Sequence, residues 1–132
     1  MSAQPGQLSI RIPPDAAQVA AVRAFVGAVG RQVGCSEESI DDLRLVATEA
    51  CAQALEEDAA GEGIEVRTTL DEGGRLVLEI EPIGAFERAP EGLDGASGGR
   101  STRRALIEGL FPDAEFDAGR GVLRVGASPQ DA

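Results

Sequence analysis

Histidine, tyrosine and tryptophan are absent from this chain of 132 residues, and phenylalanine occurs only four times. Without histidine, and with no serine or cysteine beside a candidate base, the sequence gives no support to a hydrolase triad. Because aromatic residues are scarce, the core has to be built from valine, leucine, isoleucine and alanine. The two cysteines, Cys35 and Cys51, lack the spacing of a metal site.

Targeting signals are missing as well. The N-terminus has neither the basic start nor the apolar run of a signal peptide, and no apolar segment is long enough to cross a bilayer. We therefore expect a cytoplasmic protein with reduced thiols and no membrane association.

Positive charge is in short supply: 12 basic residues stand against 23 acidic ones, and the net charge is −11. Nucleic acids and anionic membranes need clustered positive charge, so this balance argues against both as partners. It favours a protein partner with a basic surface. The length suits one domain with a substantial core, and an apolar content of 42% argues against global disorder.

Hydrophobic periodicity predicts an α/β protein with the element order β-α-α-β-β-loop-α-β-β. The predicted elements are strands 7–12, 64–70, 75–81, 114–116 and 122–125 and helices 16–33, 36–59 and 100–110. A sheet needs one face covered, so the helices predict a two-layer α/β sandwich. We expect one domain over residues 7–126, with flexible tails at 1–6 and 127–132. Residues 82–99 are predicted to form a long mobile loop rich in glycine and acid.

The second predicted helix places two polar side chains beside an apolar stripe. Glu49 and Gln53 are four residues apart and share a helix face, among Leu45, Val46 and Ala50. From spacing alone, the pair is either an acid/base and metal-oxygen pair or two solvated residues at the edge of the stripe.

The residues around this pair resemble a known family. Residues 41–57, DDLRLVATEACAQALEE, resemble the asparagine-box helix of the GHKL ATPases, and within them the anti-sigma-factor serine kinases, with a pattern near DDL-x-LA-x-x-EA-x-x-NA. The residues in register are Asp41, Asp42, Leu43, Leu45, Glu49, Ala50 and Ala54. The element order over residues 8–125 is also that of the short anti-sigma form of the Bergerat (GHKL) fold.

The resemblance assigns roles on this helix. In such kinases the asparagine binds a magnesium ion that bridges the nucleotide phosphates, and the preceding glutamate is the base on the attacking hydroxyl. This implies Glu49 as the catalytic base and Gln53 as the metal ligand, although glutamine is longer by one methylene. Magnesium demands near-octahedral geometry at about 2.1 Å, so a displaced ligand is tolerated poorly. The alternative for Gln53 is an amide on the helix surface.

A second box binds adenine in the family and normally reads Asp-x-Gly-x-Gly. Its register here falls on EPIGA, which implies Glu81, Ile83 and Ala85 as cofactor-binding positions. Ile83 and Ala85 replace both glycines, so a branched side chain stands where the purine would lie. The alternative is a strand end followed by a turn.

The third box is a glycine-rich loop that opens a helix, where backbone N–H groups can hold phosphate. It implies Gly98, Gly99 and Arg100 as cofactor-binding residues, but Ser-Thr follows where the family has Gly-Leu. Arg103 and Arg104 add positive charge in an acidic chain, which favours an anion site. The alternative is a set of surface arginines that balance neighbouring acids.

Together these observations predict an anti-sigma regulatory factor of the serine-kinase type. It would act in bacterial transcriptional partner switching by binding a sigma factor or an anti-sigma-factor antagonist. If active, it would phosphorylate a serine of the antagonist with MgATP, but the three altered boxes predict weak or absent nucleotide binding. The rivals are a nucleotide-independent pseudokinase module that binds protein, and a general α/β domain docked to a signalling partner. A homodimer is left open.

Overall fold

Five strands form one antiparallel sheet in the part of the chain that the computed structural model describes. That part comprises residues 7–57, 60–83, 98–117 and 119–129, without the side chains of residues 98–101. The strands are β1 (Leu8–Ile12), β2 (Ile64–Leu70), β3 (Leu76–Glu81), β4 (Glu115–Asp117) and β5 (Val122–Ala127). Their order across the sheet is β1-β2-β3-β5-β4, with every neighbouring pair antiparallel.

Local sequence signals set the helix ends. The α-helices within the described residues are α1 (Val19–Val33), α2 (Glu37–Glu56) and α3 (Gly98–Leu110). A short 3₁₀ turn precedes α1, and the Asp15 side chain caps it by accepting from the Ala17 N–H. Gly34 ends α1 in the left-handed conformation, with φ 91°, which favours glycine. The Ser36 hydroxyl caps α2 by accepting from the Ser39 N–H at 3.1 Å.

The core lies between the helices and one face of the sheet. Its fully buried side chains include Val22, Val26, Ile40, Leu43 and Val46 from the helices and Ile64, Val66, Leu78, Ile80 and Leu123 from the strands. This is the aliphatic core that the scarcity of aromatic residues predicts. The helices α1 and α2 approach closely at Gly30, where an added Cβ would lie 2.8 Å from Ile40.

The predicted two-layer α/β sandwich and its element order are confirmed. Several boundaries differ. A 3₁₀ turn precedes α1, α2 ends at Glu56, and α3 begins at Gly98. The strand β4 lies one residue later than predicted, and β5 continues through Ala127, which pairs with Leu76. The strand β5 is longer than predicted because β3 offers that extra pairing position. Leu45 is 37% exposed and does not belong to the buried stripe. The expectations for residues 1–6, 58–59, 84–97 and 130–132 lie outside the described residues.

Candidate functional site

The side of α2 that meets α3 carries Glu49 and Gln53, the two candidate residues of the asparagine box, which is the first of the three boxes. Gln53 is fully buried, with 0% of its surface exposed, and the Glu49 side chain retains 26% exposure. Gln53 is therefore not an amide on the helix surface, and the pair is not simply solvated. A buried amide and a largely buried carboxylate need polar partners.

Arg103 of α3 supplies those partners. Its Nε donates to Glu49 Oε1 at 2.8 Å, and its Nη1 donates to Gln53 Oε1 at 3.0 Å. The same guanidinium forms a two-point contact with Glu56, from Nη1 at 3.0 Å and from Nη2 at 3.2 Å. We call Arg103, Glu49, Gln53 and Glu56 the Arg103 cluster. It joins α3 to α2 through one side chain that is only 14% exposed.

The direction of the Arg103 side chain follows from the packing of α3. Ile107, one helical turn after Arg103, is fully buried, so the two residues lie on the same inward face. Arg104 points elsewhere: its Nε contacts Glu108 at 3.1 Å, and its guanidinium lies 4.3 Å from the centre of the Phe116 ring. Neighbouring arginines on α3 therefore have different environments.

Electrostatics within the cluster favour the charged forms. The hydrogen bond from Arg103, reinforced by its positive charge, lowers the pKa of Glu56 below its ordinary value. The hydrogen bond to Glu56 also raises the pKa of Arg103, against the opposing effect of burial. Arg103 thus remains a cation between two carboxylates and one amide oxygen.

This arrangement does not fit the magnesium ion that the family resemblance implies. Magnesium would have to approach the Gln53 oxygen, which already accepts from Arg103, and would lie beside a guanidinium that repels it. Among residues 7–57, 60–83 and the later described segments, no group of three or more acidic or cysteine side chains could hold a metal. The metal role of Gln53 and the base role of Glu49 stay predictions.

The adenine-box acid points away from this cluster. Because Ile80 is buried in the core, Glu81 projects from the opposite face of the sheet. There its carboxylate pairs with Arg67, which also contacts Glu65 at 3.2 Å and Glu79 at 3.4 Å. The structure therefore does not bring Glu81 together with the residues of the first box. The alternation of β3 already contained this information.

The other adenine-box residue that the structure describes is part of the core. Ile83 is 2% exposed and packs with the buried apolar cluster, while its N–H donates to the Gly121 carbonyl at 3.0 Å. Its side chain fills space rather than lining an open adenine site. Ala85 lies outside the described residues.

The third box begins α3. The backbones of Gly98 and Gly99 form its first turn, and the side chain of Arg100 lies outside the described residues. The backbone position agrees with the predicted glycine-rich start of a helix. Arg103 was singled out by its sequence only as a source of positive charge. Its pairing with α2 was missed, because nothing local links residues 50 positions apart.

Comparison with known proteins gives the family. Residues 12–125 match the family model described as histidine kinase-like ATPase domain. The chain belongs to this family. The GHKL resemblance seen in residues 41–57 is thereby confirmed as a histidine kinase-like ATPase fold. No curated protein matches the chain.

A solved structure supports the fold of this histidine kinase-like domain. The crystal structure of the RsbU and RsbW domains of Rv1364c from Mycobacterium tuberculosis superposes with a TM-score of 0.69 at 19% sequence identity. The match covers 96% of this chain and 33% of that chain, so the present chain corresponds to about a third of the larger protein. Within the described residues of the present chain, no helix has the length and apolar character needed to cross a membrane.

Proposed function

We propose that this domain is an anti-sigma regulatory factor that acts by binding a protein, either a sigma factor or an anti-sigma-factor antagonist, in the bacterial cytoplasm. The histidine kinase-like family and the RsbW-containing structural neighbour support this proposal. The net charge of −11 supports a partner with a basic surface. The start of α2 provides an acidic surface that would complement it, formed by the exposed carboxylates of Glu37, Glu38 and Asp41.

The contact between Glu49 and Arg103 is the observation that favours protein binding over phosphate transfer as the main role. In the kinase mechanism implied by the family, this carboxylate takes a proton from the attacking hydroxyl. Here its Oε1 accepts a hydrogen bond from Arg103 at 2.8 Å, in a contact between largely buried side chains. This oxygen is already engaged by the guanidinium, so it is not available to an incoming hydroxyl while the contact is in place. MgATP therefore contributes little in this proposal.

A second candidate, a pseudokinase module that uses no nucleotide, is favoured by Ile83. Its buried side chain belongs to the core at the position where the family places a glycine against the purine. The two candidates share the protein-binding role and differ in whether MgATP has any effect.

Titration of the purified chain with candidate sigma factors and antagonists tests the proposal. Calorimetry is expected to show binding to one of these classes, with the same affinity in the presence and absence of millimolar MgATP. Failure to bind any member of either class would refute the partner assignment. A ligand at one hundred times its dissociation constant stabilises the folded state by about 2.7 kcal/mol, so a melting curve with MgATP gives an independent reading.

Phosphate transfer is measured in the same samples. Transfer to a serine of an antagonist would establish the kinase and exclude the pseudokinase module. Glu49→Ala should then abolish transfer, whereas Glu72→Ala, in the exposed turn between β2 and β3, should leave it unchanged. Gln53→Asn restores the shorter amide of the family and should increase transfer if the extra methylene limits metal binding.

A further inference from the structure

We propose that Arg103 is a built-in cation that takes the place of magnesium in this domain. Its guanidinium binds the two side chains at the family's base and metal positions, Glu49 and Gln53, and so joins α2 to α3 without a metal ion. The inference rests on the proposed function in that it explains why nucleotide is dispensable. It does not depend on which protein the domain binds.

The geometry suits an arginine. A guanidinium is planar and presents five N–H donors in a fixed fork. In this cluster Nε serves Glu49, Nη1 serves Gln53 and Glu56, and Nη2 serves Glu56, all at 2.8–3.2 Å. One side chain thereby engages oxygens from three residues spread over two turns of α2. Lysine has a single ammonium group and could not reproduce this arrangement.

The charges explain why a cation is needed at this place. Glu49 and Glu56 both approach the same guanidinium, and the amide oxygen of Gln53 adds the negative end of a dipole. Oxygen atoms collected in this way attract a hard divalent cation when no other positive charge is present. Arg103 supplies the positive charge from within the chain. Its contacts with Glu49 and Gln53 are largely buried, so solvent screens the attraction there only weakly, whereas Glu56 is 61% exposed.

An alternative role for Arg103 is to bind the phosphates of a nucleotide. The structure favours the internal role, because the side chain is 14% exposed and shares the inward face of α3 with the fully buried Ile107. If Arg103 moved toward a phosphate, Glu49 would lose this cation, and the hydrogen bond from Arg103 to Gln53 would break. Arg104, the next residue, is directed toward Glu108 and Phe116 instead.

Metal binding by charge variants tests the inference. Mn²⁺ is titrated into the wild-type chain, Arg103→Met and Arg103→Gln, with calorimetry and electron paramagnetic resonance as readouts. Both neutral variants should bind Mn²⁺ more tightly than the wild type by about tenfold or more, because three oxygen-bearing side chains lose their cation. Millimolar Mg²⁺ should raise the melting temperature of these variants and leave that of the wild type unchanged. Arg103→Lys keeps the charge and should behave like the wild type toward metal.

Arg104→Met is the matched control, since it removes a neighbouring arginine of the same helix that contacts Glu108 and not Glu49. It should gain no metal binding. If Arg103→Met does not fold, Arg103→Gln decides, because it removes the charge and keeps a shorter polar side chain that can still donate a hydrogen bond.

Three outcomes would overturn the inference. The first is Mn²⁺ binding by the wild type that disappears in Glu49→Gln, which would show that the metal position is open. The second is equal Mn²⁺ affinity for the wild type and the neutral variants, which would show that Arg103 does not exclude the metal. The third is loss of ATP binding in Arg103→Gln, which would assign Arg103 to phosphate. Partner binding is scored separately, so failure of the metal result leaves the proposed function standing.

Discussion

Removal of the Arg103 side chain should weaken the contact between α2 and α3 far more than removal of an exposed arginine. The contact with Glu49 joins side chains that are 14% and 26% exposed, and such a charged hydrogen bond contributes about 1.5–3 kcal/mol. The contact with Glu56 involves a carboxylate that is 61% exposed, and exposed pairs contribute only about 0–1 kcal/mol. We therefore expect Arg103→Met to lower the free energy of unfolding by roughly 2–4 kcal/mol.

Urea and thermal unfolding followed by circular dichroism measure this change. For a domain of this size, a loss of one kcal/mol lowers the melting temperature by roughly 3–6 °C, so Arg103→Met should fall well below the wild type. Glu56→Gln should lose less than about 1 kcal/mol. Arg31→Met is the control, because Arg31 pairs with Glu37 at 3.3 Å on side chains that are 51% and 70% exposed. Its stability should match that of the wild type.

A double-mutant cycle isolates the pair itself. The variants Arg103→Met and Glu49→Gln, alone and together, should show a coupling free energy of roughly 1–2 kcal/mol. The coupling should fall little when the salt concentration is raised, because the contact is largely shielded from solvent. Additive effects, or equal losses in Arg103→Met and Arg31→Met, would refute the arrangement that joins α3 to α2.

Further variants test the packing and titration of the two long helices. Gly30→Ala should destabilise the fold by roughly 1–3 kcal/mol, because its Cβ would lie 2.8 Å from Ile40; Gly27→Ala meets only the flexible end of an arginine and should be nearly neutral in urea unfolding. Burial, reinforced by neighbouring carboxylates, raises the pKa of Asp42 above 3.8, so its ionised form costs stability at neutral pH. Asp42→Asn should therefore raise the melting temperature at neutral pH, and its advantage should vanish as the pH falls below 3.8; an advantage that persists in acid would contradict this reasoning. Burial raises the pKa of the Cys51 thiol to about 11, so it should react with Ellman's reagent only after unfolding; rapid labelling of the native chain would show that this part of α2 opens.

The sequence by itself determined the order of the elements and the main faces of the helices. These follow from local periodicity, from the Ser36 cap and from the glycine that ends α1. It also placed Glu49 and Gln53 on one face of α2, because residues four apart always lie together on a helix. The alternation of β3 likewise directs Glu81 away from the core, because Ile80 is buried.

Only the tertiary structure decided what those faces meet. Gln53 is buried, and Glu49 is bonded to Arg103, because α3 packs against α2 with Ile107 turned inward. Ile83 joins the core for the same kind of reason: its neighbours come from distant parts of the chain. Such contacts depend on how separate elements are oriented in space, and local patterning does not encode whether Arg103 or Arg104 turns toward the carboxylates of α2.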